Sequence, residues 1–572
     1  MKNFLGLLSA DRPATSRYAE EVFAHAGFFA SAIVREELTG VADEYGIILL
    51  AGELRLNETE REALENFVIE GGTLIAIGGT SGLEQLFGVE SQIGLGEGYI
   101  QIRRKKHPIT MGLESSLHTF GGVAAQATNG VSLARMRDSL YRPTLHDAIV
   151  ERRIGKGLTI FIAPDLFGSI VRIQQGIYVD QDGIPASDGS APINDGILKC
   201  EDGMTLNFEI DRTLVDGENR IFYHPIADEL RELVIKSVLY AARRKRLPLP
   251  MLWYYPRNLP SLGHISHDSD GNNRELAWSL LKFVQELGVK TTWCVIEPGY
   301  AADFYAAIKA DGGEIALHYD ALDGRPRTSW GEHQLRGQHD WLTHAANVRV
   351  VSNKNHYTRW EGRLDFFRWC AAIGLQCDQS RGPSKRGTIG YPLGGSHPWF
   401  PIDDGGDFID CLELNLQTQD LVNTCPDYFG RYWVEQAVKH HGIAHLLFHP
   451  AHIEEPGVAD ALRMVVDYGR KRGLEWWTCA QINDWERARR GVRLQSYQKQ
   501  HSGMTYCFSA ERPLQDATLL FLKPRGEYEQ VERYGFTFQK VEMDLAGEKE
   551  VHLKSRKCAL CPPANVKTEK RN

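Results

Sequence analysis

The sequence feature that most constrains the fold is a regular alternation of apolar strand-like runs and amphipathic helical stretches between residues 262 and 490. Short apolar runs such as 290–296 and 314–318 are separated by stretches with helical periodicity, such as 301–310. Strand and helix in regular alternation predict a distorted (β/α) barrel with a parallel sheet. In such barrels the carboxyl ends of the strands carry the chemistry, so polar residues at these ends are the first candidates for a functional site.

The chain of 572 residues predicts about three domains, because one domain usually takes roughly 100–200 residues. We expect an α/β domain at 1–245, the barrel at 246–490, and a small β domain with a flexible tail at 491–572. The segment RRKRLPLPMLWYYPRNLP, with a basic cluster and four prolines, marks the first boundary. Residues 170–225 are rich in Gly, Asp and polar turns and predict a long inserted loop beside the substrate entrance or at a subunit contact.

Composition and charge exclude several partners. The chain has 42% hydrophobic and 24% charged residues and a formal charge of −9 without a basic stripe, which gives nucleic acid no electrostatic footprint. No apolar run approaches the ~20 residues of a membrane span. The start, MKNFLGLLSADRPATSR, reaches Asp11 and Arg12 before a signal peptide's apolar core is complete. We therefore expect a cytoplasmic protein with a small-molecule or carbohydrate partner, and a homo-oligomer is compatible with these properties.

The ten cysteines lie mostly in apolar segments, which is typical of reduced core thiols rather than of a disulfide framework. The exception is Cys558-x-x-Cys561 in the tail. This pair suits half a zinc site or a redox pair, and a solvent-exposed coincidence is the alternative.

Four polar clusters follow apolar strands of the predicted barrel. Carboxylate and imidazole ligands suit a borderline cation such as zinc, and an incomplete set of protein ligands leaves a position for water. Two aspartates two residues apart can divide the labour, since one can bind metal while the other takes a proton from water. Taken singly, each cluster is also compatible with a capping aspartate or a buried strand-end histidine. The clusters are His267 to Asp270, His318 to Asp320, Asn355 with His356, and His449 with His452.

The motifs SHDSDG, GGEIALHYD and LLFHP resemble, in order and spacing, those of the polysaccharide-deacetylase family, also called carbohydrate esterase family 4. The resemblance covers residues 262–487. It implies that Asp268 is the catalytic base and that Asp270 and His318 bind a divalent metal, most simply Zn²⁺. It also implies that His449 polarises or protonates during the departure of the leaving group.

One position departs from this pattern and several others have open roles. The family's second histidine, four residues after the first, is replaced by Leu322. His356 is our candidate for the missing ligand, because adjacent barrel strands point their ends at the same mouth; hydrogen bonding within a loop is its alternative role. Four further residues are candidates, each with a purely structural alternative. Arg359 could orient the base or be a surface arginine, and Asp378 could lie beside the substrate or cap a helix. Trp360 and Trp399 could form walls on which a sugar stacks, or they could be core residues.

The first 245 residues carry a second resemblance. DEYGIILLAGE, EGGTLIAIGG and GKGLTIFIAPDLFGS look like the flavodoxin-like domain of class I glutamine amidotransferases. Active members need a cysteine nucleophile, and no cysteine precedes Cys200. The resemblance therefore implies a non-catalytic domain that serves as a scaffold or as a sugar- or partner-binding module.

Together these observations predict a metal-dependent hydrolase that removes an acetyl group from an N-acetylated, or alternatively O-acetylated, sugar or sugar-like molecule. Two alternatives stay open. One is a related amidohydrolase acting on a cyclic amide or a ureide, because the same barrel serves that chemistry. The other is a catalytically inactive carbohydrate-binding or assembly protein, which the loss of the second-motif histidine favours.

Overall fold

The computed structural model of the chain describes residues 3–322, 329–500, 503–522 and 528–554. Cys558 and Cys561 lie outside these residues. Within the described ranges, no helix combines the length and the apolar character that a membrane crossing requires.

The first part of the chain forms a nine-stranded mixed sheet in the order β2-β1-β3-β4-β11-β10-β9-β6-β7. The strands from β2 to β11 are parallel, whereas β10, β9, β6 and β7 are antiparallel. Its elements are β1 (Asn3–Ser9), α1 (Tyr18–Ala26), β2 (Ala30–Ala32), α2 (Leu38–Val41), β3 (Tyr45–Ala51), α3 (Glu58–Ile69), β4 (Thr73–Ile77), α4 (Glu84–Phe87), β5 (Val89–Gly94), β6 (Glu97–Ile102), β7 (His118–Phe120), β8 (Val123–Ala127), β9 (Val131–Asp138), β10 (Pro143–Ile154), β11 (Gly157–Ile162) and α5 (Leu166–Gln175).

The continuous apolar run of β3 is explained by burial on both faces of this sheet. Ile47 and Leu49 belong to one hydrophobic core, whereas Ile48 and Leu50 belong to the core on the opposite face. A strand covered on both sides has no polar face, which is typical of parallel sheets. The other half of the sheet is antiparallel, because β9, β10 and β11 follow one another through short connections that allow antiparallel pairing.

The segment after α5 lies against the barrel rather than extending into solvent. Isolated backbone bridges join Val179 to Gly362, Lys199 to Arg359, and Phe222 to Gly390. It leads through the last elements before the barrel, which are β12 (Thr213–Leu214), β13 (Arg220–Ile221), α6 (Ile226–Lys245) and β14 (Pro250–Leu252).

The second part is a curled sheet of parallel strands in the order β20-β19-β18-β17-β16-β15-β21, with β22 also pairing with β15. A single parallel bridge between Thr418 and Leu446 connects the region after β20 to β21. Its elements are β15 (Leu262–Asp268), α7 (Arg274–Leu287), β16 (Thr292–Val295), α8 (Ala302–Asp311), β17 (Glu314–Tyr319), α9 (Glu332–Ala346), β18 (Ser352–Asn355), α10 (Asp365–Ile373), β19 (Cys377–Asp378), β20 (Leu412–Glu413), α11 (Phe429–His440), β21 (Ile443–Leu447), α12 (Val458–Lys471), β22 (Glu475–Trp476) and α13 (Cys479–Arg490).

Strand β15 shows how this curled sheet positions polar groups. Ile265 packs into the hydrophobic core of this part of the chain. His264, Ser266 and Asp268 occupy the alternate positions along the strand. Because successive side chains of a strand point to opposite faces, these three side chains share the other face, and all three are buried. The concave side of the sheet is therefore a polar interior that leads up to Asp268.

The last part is an antiparallel sheet that shares its core with the first part. β24 pairs with β14, β23 and β26, and β25 pairs with β26. Its two longest strands, β24 and β26, pair along most of their length, and register shifts near Ala510 and Leu514 interrupt the two-residue side-chain pattern within each of them. The strands are β23 (Val492–Gln500), β24 (Gly503–Leu522), β25 (Gln530–Arg533) and β26 (Phe536–Lys554).

Candidate metal centre

Five of the residues that the sequence singled out lie at the carboxyl ends of the parallel strands. These ends meet at one rim of the curled sheet, so the side chains are brought to a common mouth. Asp268 is the last residue of β15, Asp270 opens the turn after it, His318 lies near the end of β17, His356 follows β18, and His449 follows β21.

Asp270 is the central carboxylate of this group. Its Oδ1 lies 3.1 Å from His318 Nε2, and its Oδ2 lies 3.7 Å from His356 Nε2 and 3.5 Å from His449 Nε2. Asp270, His318 and His356 each offer one ligand atom, and these atoms lie within 4.8 Å of one another. The structure therefore brings together the three side chains that the sequence proposed as ligands.

The histidines present the nitrogen that a metal needs. His318 Nδ1 lies 2.9 Å from the backbone oxygen of Lys354, to which it donates as Nδ1–H. His356 Nδ1 donates in the same way to Asp320 Oδ1, at 3.1 Å. With Nδ1 protonated, a neutral imidazole keeps its lone pair on Nε2, and this second partner also fixes the ring plane. Both Nε2 atoms face Asp270, so the donor set fits a divalent cation.

The pKa values of Asp270 and His356 are shifted by the charged groups around them. Burial alone would raise the pKa of Asp270, but hydrogen bonds from His318, His356 and His449 hold that pKa far below its usual value. Burial would lower the pKa of His356, but its bonds to Asp270 and Asp320 raise it to about 9. The same carboxylates that favour a proton on these rings favour a divalent cation in its place.

His449 is oriented by a residue that the sequence analysis did not identify. Asp420 accepts from His449 Nδ1 at 2.5 Å and from the His449 backbone nitrogen at 2.8 Å. Burial would lower the pKa of His449, but the charge of Asp420 raises it well above the usual range. His449 can therefore hold a proton on Nε2 and point it into the site. Asp420 gave no signal, because it lies in irregular chain after β20 and not at a recognisable strand end.

Asp268 lies beside a buried lysine. The Asp268 side chain is buried, with Oδ2 3.8 Å from His318 Nε2 and Oδ1 3.5 Å from Lys354 Nζ. Lys354 is 1% exposed and donates to Ser266 Oγ at 2.5 Å. The Lys354 ammonium is thus a close neighbour of the Asp268 carboxylate. The position of Lys354 within a strand that is otherwise buried could have indicated a functional lysine from the sequence.

Arg359 is placed differently from the expectation that it orients the base. Its guanidinium donates to Glu361, and its backbone bridges to Lys199 of the segment after α5. Among the described contacts the cation beside Asp268 is Lys354. Arg359 therefore lies at the joint between that segment and the mouth of the barrel.

The three candidate substrate contacts are buried. Trp360 is 1% exposed and Trp399 0% exposed, so neither indole offers a face on which a sugar could stack; this corrects the expectation of stacking walls. Asp378, also 0% exposed, accepts from Asn353 Nδ2 and Ser380 Oγ, which makes it an internal support of β18 and β19 rather than a substrate contact. An aromatic ring that does reach solvent at the mouth is Tyr357, 53% exposed and 4.7 Å from the ring of His356.

Comparisons with known proteins give distant structural similarity. No family model matches the chain, and no curated protein matches it. The solved structures similar to it include Agd3, a carbohydrate deacetylase that is 12% identical, with 96% of this chain and 98% of that chain covered and a TM-score of 0.41. A candidate polysaccharide deacetylase from Mycobacterium smegmatis is 19% identical over 41% of this chain and 93% of its own, with a TM-score of 0.32.

A third similar structure is a β-galactosidase from Bacillus circulans sp. alkalophilus, 14% identical, covering 29% of this chain, with a TM-score of 0.24. The match spans only 30% of the length of that β-galactosidase. Carbohydrate and polysaccharide deacetylases are thus among the structural neighbours of the chain. Because the identities and TM-scores are low, the site is interpreted from its own geometry.

Proposed function

We propose that the protein is a zinc-dependent hydrolase that removes an acetyl group from an N-acetylated sugar. The observation that carries this proposal is the convergence of Asp270, His318 and His356 at one point, with Asp268 and His449 facing the same space. Two imidazoles and one carboxylate are a typical ligand set of catalytic zinc, which keeps a further position open. When bound, the cation polarises the acetyl carbonyl and lowers the pKa of a water molecule.

The side chains divide the proton transfers between them. Asp268, held beside Lys354, takes a proton from the attacking water. His449, held by Asp420, carries a proton on Nε2 and delivers it to the departing nitrogen of the sugar. The products are acetate and a free amine. Tyr357 offers an exposed ring beside the centre, and stacking of a sugar on such a ring is a common way to bind carbohydrate.

Metal analysis of the purified full-length protein tests the centre. We expect about one zinc per chain in the wild type and a large loss of zinc in Asp270→Ala, His318→Ala and His356→Ala. His344→Ala is the matched control, because His344 lies on the exposed side of α9 and, among the residues that the structure describes, its ring bonds a backbone oxygen of its own helix. Unchanged zinc in His356→Ala would remove that residue from the ligand set.

Acetate release tests the reaction. We expect the zinc-loaded protein to release acetate from N-acetylated sugars, and expect Asp268→Asn to keep its zinc but lose this activity. Release of acetate from O-acetylated sugars alone would show that the enzyme cleaves an ester bond and not an amide bond. A zinc-loaded protein that opens cyclic amides or ureides and leaves acetylated sugars intact would contradict the proposal.

A further inference from the structure

A separate cavity of about 800 Å³ lies in the first part of the chain. It is lined by residues 8–12, 33–36 and 53–55, which follow or include the carboxyl ends of β1, β2 and β3. None of these residues belongs to the candidate metal centre. Its volume is in the range of cavities that bind small molecules.

The position of this cavity within the sheet is informative. From β1 the chain passes to β2 on one side and then returns to β3 on the other side, as the strand order β2-β1-β3-β4 shows. The connections therefore diverge at the carboxyl ends of β1 and β3 and leave a crevice between them. In open parallel sheets, ligands bind outside the carboxyl ends of the strands at such a switch point.

The wall carries three carboxylates, Asp11, Glu36 and Glu53, and three arginines, Arg12, Arg35 and Arg55. Arg35 makes two hydrogen bonds of 3.0 Å to Glu60, and Glu36 and Asp11 lie close enough to contribute to the raised pKa of Arg35. Arg12 and Arg55 are exposed and have no ion pair or hydrogen bond within the described part of the chain. A guanidinium in this state can bind a carboxylate or phosphate through paired N–H groups.

A hydroxyl at the end of β1 adds a second polar group to the same wall. Ser9 lines the cavity, and its Oγ is buried without a hydrogen-bond partner. Buried polar atoms are nearly always satisfied, by the chain or by an ordered water molecule, so this hydroxyl has a place for a partner that the chain does not supply, water included. The carboxylates of Asp11 and Glu36 on the same wall can accept from hydroxyl groups of a ligand.

We propose that this crevice binds a monosaccharide-sized anion, a sugar that bears a carboxylate or a phosphate group. Arg12 and Arg55 bind the anionic group, and the carboxylates of Asp11 and Glu36 accept from hydroxyl groups of the ring. The site is independent of the acetyl-removing activity, since it shares no residue with the metal centre. It gives the first part of the chain a recognition role that needs no cysteine nucleophile.

Titration calorimetry on the full-length protein tests the site with glucuronate, glucose 6-phosphate and neutral glucose. We expect at least one of the two anionic sugars to bind at least ten times more tightly than glucose. Binding of glucuronate alone identifies a carboxylate as the anionic group, and binding of glucose 6-phosphate alone identifies a phosphate. The double variant Arg12→Ala/Arg55→Ala is expected to weaken that binding at least tenfold.

Two control variants separate binding in the crevice from binding elsewhere on the protein. Arg512→Ala removes an exposed arginine of β24 and is expected to bind as the wild type does. Asp270→Ala, which alters the metal centre, is expected to retain the binding. The proposal is overturned if neither anionic sugar binds, if the double variant binds like the wild type, or if Asp270→Ala abolishes binding.

Discussion

At the scale of single residues, the candidate centre depends on which nitrogen of each histidine is left facing Asp270. The backbone oxygen of Lys354 and the carboxylates of Asp320 and Asp420 each accept from the Nδ1 of one histidine. The Nε2 atoms of all three rings are then directed to the same carboxylate. Removal of a hydrogen-bond partner of this kind usually lowers metal affinity or activity tenfold or more.

Lys354 provides the first prediction. Lys354→Met removes the buried cation 3.5 Å from Asp268 Oδ1 while keeping the approximate length of the side chain. We expect the rate of acetate release to fall about 10²-fold, in line with the contribution of a well-placed general base, with zinc content unchanged. Lys471→Met, at the exposed end of α12, is the control. A full rate in Lys354→Met would show that Asp268 does not need this cation.

Asp420 provides the second prediction. Asp420→Asn removes the charge that holds His449 but keeps an oxygen that can accept from its backbone nitrogen. We expect the turnover number to fall roughly 10²-fold, the range for general acid catalysis, while the KM for the sugar changes little. Asp427→Asn, an exposed carboxylate of the same loop, should be neutral. An equal loss in both variants would contradict the assignment of Asp420 to His449.

The residues that sequence reasoning found and missed have a common physical explanation. Asp270, His318 and His356 follow apolar strands, so their convergence could be predicted from the geometry of parallel strand ends. Asp420 and the burial of Trp360 depend on how irregular chain folds across the mouth, which no local pattern specifies. Contacts between residues distant in sequence thus decide which aromatic rings reach solvent at the mouth of the barrel.

At the scale of elements, the segment between α5 and α6 is held against the barrel by backbone pairing at Gly390. Gly390 has φ 103°, and a Cβ placed there would lie 2.2 Å from the backbone oxygen of Phe222. Both the conformation and the close approach require glycine. The pairing of Phe222 with Gly390 therefore depends on the absence of a side chain.

Gly390→Ala is the third prediction. We expect it to destabilise the protein by about 1–3 kcal/mol, the usual cost of forcing an atom into a packed contact, as measured by guanidinium unfolding. Gly337→Ala is the matched control, because Gly337 lies within α9 and a Cβ added there would meet no atom within 4 Å. Alanine at position 337 is expected to stabilise the helix by about 0.5–1 kcal/mol. Stabilisation of the protein by both substitutions would show that the pairing of Phe222 with Gly390 is loose.

Helices and strands could be predicted where the hydrophobic pattern of a single segment specifies them. They could not be predicted where they depend on pairing with a strand that is distant in sequence. The alternation of strand and helix from β15 to α13 could be predicted, because each element carries its own periodicity. The antiparallel pairing of β6 with β9, and the continuity of β24 through its register shifts, could not. Both depend on partners that a strand meets only after the chain has folded.

At the scale of the whole molecule, a buried charged network joins the first part of the chain to the end of the barrel. Glu486 on α13 lies 2.6 Å from His25 Nδ1 on α1 and 2.8 Å from Arg489 Nη2. Arg490 bonds both Glu486 and Glu21. These side chains are nearly fully buried, so the two parts share charges that neither could satisfy alone.

The fourth prediction follows from this network. Removing one partner of a buried ion pair leaves an uncompensated charge, so Glu486→Gln is expected to cost about 3–5 kcal/mol of unfolding free energy. Glu475→Gln is the control, because Glu475 and its partner Arg257 are 40% and 46% exposed, and an exposed pair contributes about 1 kcal/mol or less. Guanidinium unfolding of both variants, with zinc saturating, measures the difference.

The same carboxylate gives the stability a pH dependence of known sign. Burial alone would raise the pKa of Glu486, but the charges of Arg489 and Arg490 hold it well below its usual value. A carboxyl whose pKa is lower in the folded state stabilises the protein above its unfolded pKa of about 4.3, and this contribution is lost as the pH falls through the folded pKa. The wild type should therefore lose stability more steeply than Glu486→Gln as the pH falls below about 4. Parallel pH profiles in the two proteins would mean that the ionised form of Glu486 does not hold the two parts together.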